Sequence, residues 1–118
     1  MIERAVAEVR GDDSLAGAIL AARSVDTLKL VEGTTIVATP DRSFYWCAQT
    51  PQVFRRRVLL AAHKAAARDD YQGTDDASLV ERIGGRVRVV ECSHDNIKVT
   101  VPEDLAIAEA TLERRLLM

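Results

Sequence analysis

The sequence predicts an α/β fold with a mixed sheet flanked by helices, and three observations carry that prediction. First, residues 15–22 form a near-continuous apolar run, Leu-Ala-Gly-Ala-Ile-Leu-Ala-Ala. Such a run suits a strand buried on both faces, for which a parallel strand is the natural form. Second, helical and strand-like patterns alternate in the order helix, strand, hairpin, strand, helix, helix, strand, strand, helix. Third, Trp46-Cys47-Ala48-Gln49-Thr50-Pro51-Gln52-Val53-Phe54 reads as a strand-to-helix junction, with Thr50 as N-cap and Pro51 opening the helix. In open α/β sheets such junctions face the ligand crevice, and a helix N-terminus there favours an anion.

In chain order, residues 1–10 place Ile2, Ala5, Val6 and Val9 at helical spacing, with Glu3, Arg4, Glu8 and Arg10 opposite. Turn residues 11–14 lead into the apolar strand. Residues 27–30 and 34–38 flank Glu32-Gly33 and carry β-branched residues, so they read as a hairpin with Gly33 supplying positive φ. Its polarity suits a projecting arm, bounded as residues 25–43. Residues 50–69 predict the longest helix, with Phe54, Val58, Ala61, Ala62 and Ala65 on its buried stripe. Thr74 or Asp75 then caps a short helix that ends at Gly84-Gly85. Residues 86–91 and 97–100 read as strands, and Thr100-x-x-Glu103 as a capping box for a last helix buried through Leu105, Ala108, Leu112 and Leu116. Few core strands leave sheet edges open, which predicts either an oligomer or a missing half.

At 118 residues the chain is one domain's worth, able to bury roughly 65% of its unfolded surface. The formal charge of -2 argues against nucleic acid or a membrane surface as partner. No apolar stretch approaches the roughly 20 residues of a membrane helix, and the start lacks a signal-peptide pattern, so a cytoplasmic location is expected. Cys47 and Cys92 lie in no Cys-x-x-Cys or Cys/His cluster and read as reduced, buried thiols; no metal site is expected in this chain.

The polar clusters Asp26-Thr27, Gly73-Thr74-Asp75-Asp76 and His94-Asp95-Asn96-Ile97-Lys98 share the character of the Thr50 junction. Each also has a plain structural reading: Thr50 and Thr74 as caps, Lys98 as an edge-strand gatekeeper, Arg42 as a solvated turn residue. Arg55-Arg56-Arg57 reads as a solvated helix face, and His63 and His94 as structural or solvated. Asp75, Asp76 and Glu81 read as cap and surface charges.

Three segments carry a family resemblance, in order and in spacing: Ala48-Gln49-Thr50-Pro51-Gln52-Val53-Phe54, Thr74-Asp75-Asp76-Ala77-Ser78-Leu79-Val80-Glu81, and Asn96-Ile97-Lys98-Val99-Thr100 with Pro102-Glu103-Asp104-Leu105-Ala106. Together they resemble the 2-C-methyl-D-erythritol 4-phosphate cytidylyltransferases, over residues 18–112 and over that family's C-terminal half only. The resemblance implies part of a Rossmann-like nucleotidyltransferase sheet, with residues 1–118 as one domain. It implies transfer of CMP from CTP to methylerythritol phosphate in the non-mevalonate isoprenoid pathway, with pyrophosphate released. It also implies Lys98 as the catalytic cation and Thr27, Arg42, Thr50, Thr74 and Asp95 as substrate-binding residues. The arm is implied to embrace a second subunit in a homodimer. Mg²⁺ is expected for the complete enzyme, with ligands outside this chain.

The family's glycine-rich CTP loop and its His-Asp-Ala-Ala-Arg-Pro segment are not matched here, so the chain alone is expected to be inactive. The hairpin is slightly shorter than the family's, and Arg23 stands where a Pro is typical. Ribitol phosphate cytidylyltransferases share the Gln-Thr-Pro-Gln and Asn-Ile-Lys motifs, whereas residues 74–81 favour the erythritol enzymes. The alternatives are a ribitol phosphate half, or a non-catalytic dimerisation or interaction module.

Overall fold

A computed structural model describes residues 1–117. In chain order the elements are α1 (Ile2–Arg10), β1 (Gly17–Arg23), β2 (Leu30–Glu32), β3 (Thr35–Ala38), β4 (Trp46–Phe54), α2 (Arg56–Arg68), α3 (Asp76–Arg82), β5 (Val87–Glu91) and α4 (Pro102–Leu116). The main sheet has the order β4-β1-β5, with β1 antiparallel to β4 and parallel to β5, so it is mixed as expected. Both faces of β1 are covered, which is why its sequence is apolar without alternation. Ala18 and Leu20 pack toward α1 with Ala5, Val9 and Val90. Ala16 joins Ala62, Ala66, Leu79 and Val80 of α2 and α3 on the other side.

The hairpin forms a separate two-stranded sheet of β2 and β3, turned at Gly33 with φ +64°. All its strand residues are exposed, including Leu30, Val31, Ile36 and Val37. Its base is tied by Arg42, whose Nη1 donates to the Val25 carbonyl at 2.8 Å, and by Lys29 Nζ donating to Thr39 Oγ1 at 2.8 Å. With the arm projecting, the radius of gyration is 16.8 Å, above the roughly 13–14 Å of a compact domain of this length.

Several local expectations are corrected. Thr50 is not an N-cap, and Pro51 does not open a helix: both lie inside β4, joined by a cis peptide bond. Gln52, Val53 and Phe54 pair with Ile19, Ala18 and Gly17, and this pairing extends the strand to the foot of α2. The register then slips, so that Ala21 faces Ala48 and the residues 49–51 bulge away opposite Leu20. Proline is tolerated there because the ladder is interrupted and needs no N–H from it. The stripe of α2 runs through Val58, Leu59, Ala62, Ala65 and Ala66, while Ala61 is exposed.

Arg55 is not part of a solvated charge run. Its Nε donates to the Leu15 carbonyl at 2.8 Å, and its Nη2 donates to the carbonyls of Val9 at 2.7 Å and Asp12 at 3.2 Å. One guanidinium fork thereby gathers the end of α1, the turn after it and the residues leading into β1. Asp75, rather than Thr74, caps α3, accepting from Ser78 N at 2.8 Å. At α4 the capping carboxylate is Asp104 rather than Glu103, accepting from Thr100 N at 3.0 Å and Val101 N at 3.2 Å. Residues 97–100 are not a strand, because among the described residues no strand pairs with them. Leu105, Leu112 and Leu116 are 61%, 58% and 86% exposed, since no described element covers that face of α4. Cys47 is exposed rather than buried, whereas Cys92 packs half-buried against the α1-side core.

Candidate substrate cleft

The bulge of β4 opens a cleft of about 300 Å³, lined by Ala48, Gln49, Thr50, Gln52, Thr74, Asp75 and Lys98. Three stretches distant in sequence meet there: the bulge itself, the turn before α3, and the irregular segment after β5. The latter two are each fastened to β4 by a side-chain amide. Gln52 Nε2 donates to Asp75 Oδ2 at 3.0 Å and to the Gln49 carbonyl at 3.3 Å, and its Oε1 accepts from Ala77 N at 3.4 Å. That pins the first turn of α3, and with it Thr74, against β4. On the other side Asn96 Nδ2 donates to the Thr50 carbonyl at 2.8 Å, bringing the Lys98 segment to the same place.

The cleft's chemistry follows from this bonding. Asp75 is spent on structure, one oxygen on Ser78 N and the other on Gln52. Lys98 is exposed and takes part in none of the ion pairs among the described residues. An ammonium, two threonine hydroxyls and the Gln49 carboxamide are left to face a ligand. That set suits an anionic, hydroxylated molecule: the cation for its charge, the hydroxyls as donors or acceptors.

The structure brings together Thr50, Thr74 and Lys98 and leaves the other expected residues apart. Thr27 is exposed in the segment before β2, and Arg42 sits at the base of the arm; neither lines the cleft. Asp95 accepts from the Ser93 hydroxyl and pairs with Arg115 Nη2 of α4 at 3.2 Å. Those contacts, the Ser93 hydrogen bond first and then Arg115, hold its carboxyl below the usual carboxylate range. It lines a separate cavity of about 160 Å³ between its loop and α4. Gln49, Gln52, Asp75 and Asn96 are cleft or cleft-anchoring residues that sequence reasoning did not assign. Gln49, Gln52 and Asn96 stood inside the family-like motifs, but only the fold shows what their amides touch.

Among the described residues no three His, Cys, Asp or Glu side chains group as a metal site requires, and no helix is long and apolar enough to cross a membrane.

Residues 1–114 match the family model described as IspD: 2-C-methyl-D-erythritol 4-phosphate cytidylyltransferase. The chain is 47% identical over 116 residues to the 2-C-methyl-D-erythritol 4-phosphate cytidylyltransferase of Geobacter metallireducens, covering 98% of this chain and 49% of that protein. It is 52% identical over 99 residues to that of Geobacillus kaustophilus, covering 84% and 43%. Among solved structures it is similar to the Francisella tularensis enzyme, with a TM-score of 0.80, 36% identity, and 93% of this chain and 51% of that chain covered. The 4-diphosphocytidyl-2C-methyl-D-erythritol synthase of Anaerococcus prevotii superposes with a TM-score of 0.84 at 29% identity, covering 95% and 51%. The chain spans about half the length of the curated relatives it matches. With that extent of match, and with the mixed α/β sheet these structures share, the chain belongs to the IspD family, 2-C-methyl-D-erythritol 4-phosphate cytidylyltransferase.

Proposed function

We propose that this chain is the C-terminal half of a methylerythritol phosphate cytidylyltransferase and that its cleft receives the sugar-alcohol phosphate. The observation that carries the reading is the convergence of Thr50, Thr74 and Lys98 in one cleft. In the proposed reaction a phosphate oxygen of methylerythritol phosphate attacks the α-phosphorus of CTP in line. The new P–O bond forms as the bond to the pyrophosphate oxygen breaks, and pyrophosphate departs. Two anions must approach, so a cation between them lowers their repulsion and steadies the charge that gathers in the transition state. Lys98 is the cation proposed for that role, its place in the cleft supporting the reading. Thr50 and Thr74 hydrogen-bond the substrate; Asp95, which lines the neighbouring cavity, has Oδ2 uncommitted because its bonds to Ser93 and Arg115 both fall on Oδ1, and is proposed to reach a substrate hydroxyl only where the substrate extends beyond the cleft.

The arm, residues 25–43, is proposed to embrace a second copy, carrying Thr27 and Arg42 to the neighbour's substrate phosphate. The exposed apolar residues Leu30, Val31, Ile36 and Val37 support it, as an uncovered apolar hairpin asks for a partner surface. The uncovered α4 stripe supports a further CTP-binding half that packs on it. Mg²⁺ is expected with CTP in the complete enzyme, held by ligands outside this chain. A nucleoside triphosphate substrate fits a cytoplasmic location.

The test is pyrophosphate release from CTP and methylerythritol phosphate, by the chain alone and by the chain joined behind the N-terminal half of a relative such as that of Geobacter metallireducens. The chain alone is expected to show none and the joined protein to turn over. Lys98→Ala in the joined protein is expected to lower turnover about a hundredfold to a thousandfold, the loss seen when one preorganised donor is removed. A folded Lys98→Ala protein with near-parental turnover ends the assignment of Lys98.

A further inference from the structure

We propose that Asn96 is a positioning residue for Lys98, clamping the segment that carries it to the bulge of β4; this rests on the cleft reading above. After β5 the chain leaves the sheet. Cys92 N still donates to the Ala21 carbonyl at 2.9 Å, and from residue 93 to residue 100 no ladder holds the backbone. Lys98 lies within that stretch, so side-chain ties must place it. Two ties flank it at two residues' distance: Thr100, whose N and Oγ1 both donate to Asp104 Oδ2 of α4 at 3.0 Å, and Asn96, whose Nδ2 donates to the Thr50 carbonyl at 2.8 Å and approaches Cys92 Sγ at 3.9 Å. Because β1 lies between β4 and β5, this one amide reaches across β1 from the segment after one flanking strand to the bulge of the other. The Thr50 carbonyl is available to it because residues 49–51 stand out of the ladder.

Asp95, bonded to Ser93 and paired with Arg115, fastens the preceding residue to α4, and His94 Nε2 lies 2.7 Å from the Arg23 carbonyl at the end of β1, so the loop is held at several points. Only the Asn96 tie ends on a residue of the cleft. A hydrogen bond of this kind fixes where the cation stands without touching substrate, and small misplacements of a reacting group are costly in rate.

The discriminating change is Asn96→Asp, which keeps the shape but sets a carboxylate oxygen against the Thr50 carbonyl in place of an N–H. In the isolated chain, trypsin should cut after Lys98 several-fold faster in the variant at an unchanged melting temperature, while synthetic peptides spanning residues 90–104 are cut alike. In the joined protein, Asn96→Asp should lower kcat about tenfold to a hundredfold, and Asn96→Gln, which retains the donor, should recover part of the loss. On a Lys98→Ala background the same change should cost less than about twofold, because a residue that acts through Lys98 has nothing left to position. Unchanged cleavage, or losses that multiply independently in the double variant, overturn the proposal. If Lys98→Ala alone keeps parental turnover, the cleft reading fails instead, and the cleavage assay still decides whether Asn96 tethers the segment.

Discussion

Replacing Arg55 separates a structural knot from a surface charge. Its three hydrogen bonds, at 2.7, 2.8 and 3.2 Å, end on main-chain carbonyls of α1, the following turn and Leu15 just before β1. Hydrogen bonds to a charged group are worth about 1.5–3 kcal/mol each, but they are not additive. The side chain is 38% exposed, so water can reach some of the carbonyls once the guanidinium is gone. A net loss of about 2–3 kcal/mol for Arg55→Ala follows, within the range for breaking a part-buried polar network. At this size about 1 kcal/mol moves the melting temperature by about 4 °C, so the expected drop is about 8–12 °C by circular dichroism. Arg55→Lys should recover only a minor part, because one compact ammonium cannot span carbonyls that a planar fork reaches together. Arg56→Ala and Arg57→Ala, both exposed, should shift melting by less than about 2 °C. If Arg55→Ala melts with those two controls, the three bonds do not hold these elements together and the reasoning fails.

Gly17→Ala should destabilise the chain by about 1–3 kcal/mol in urea titration, because a Cβ there would lie 2.3 Å from Phe54 Cδ1 and 2.5 Å from the Val53 carbonyl in the β1–β4 ladder; a midpoint equal to the parent's would show that the two strands can separate freely. Leu112→Ser should leave the melting of the isolated chain within about 2 °C of the parent, its side chain being mostly exposed, yet lower that of the joined protein by more than about 4 °C; equal shifts in both would mean that the rest of the fold does not cover α4. Asp12, Asp41, Asp69, Asp95 and Asp104 are all held below the ordinary 3.8 by hydrogen bonds, with arginine charges adding at Asp12, Asp69 and Asp95. The unfolded chain therefore binds more protons than the folded one as pH falls through about 4, so their contribution is complete above that pH and is lost below it. Melting temperature should be level between about pH 5 and 7 and fall steadily toward pH 3; a level profile down to pH 3 would remove these carboxylates from the account of stability.

The sequence by itself determined what local pattern can determine. Residues 15–22 had no polar position to turn toward water, so β1 had to be a strand covered on both faces. Gly33 between β-branched flanks made the hairpin, and the 3.6-residue spacing of Ala5 and Val9 set the inner face of α1. The motif residues Thr50, Thr74 and Lys98 were legible by resemblance, but as letters they were equally good helix caps and an edge lysine. The tertiary structure decided the rest, because each remaining question was a competition between a local preference and a distant partner. Thr50-Pro51 is a good helix start in isolation, but Gln52, Val53 and Phe54 gain a strand partner in Ile19, Ala18 and Gly17, so the helix waits until Arg56. Arg55, one of three adjacent arginines, is distinguished only by carbonyls some forty positions away. The leucine stripe of α4 is amphipathic in sequence, yet which partner covers it is a property of the surface opposite and not of the helix. The cleft itself exists because two amides, Gln52 and Asn96, bind segments far apart in the chain to one bulge, and hydrogen bonds between distant segments leave no periodic trace in a sequence.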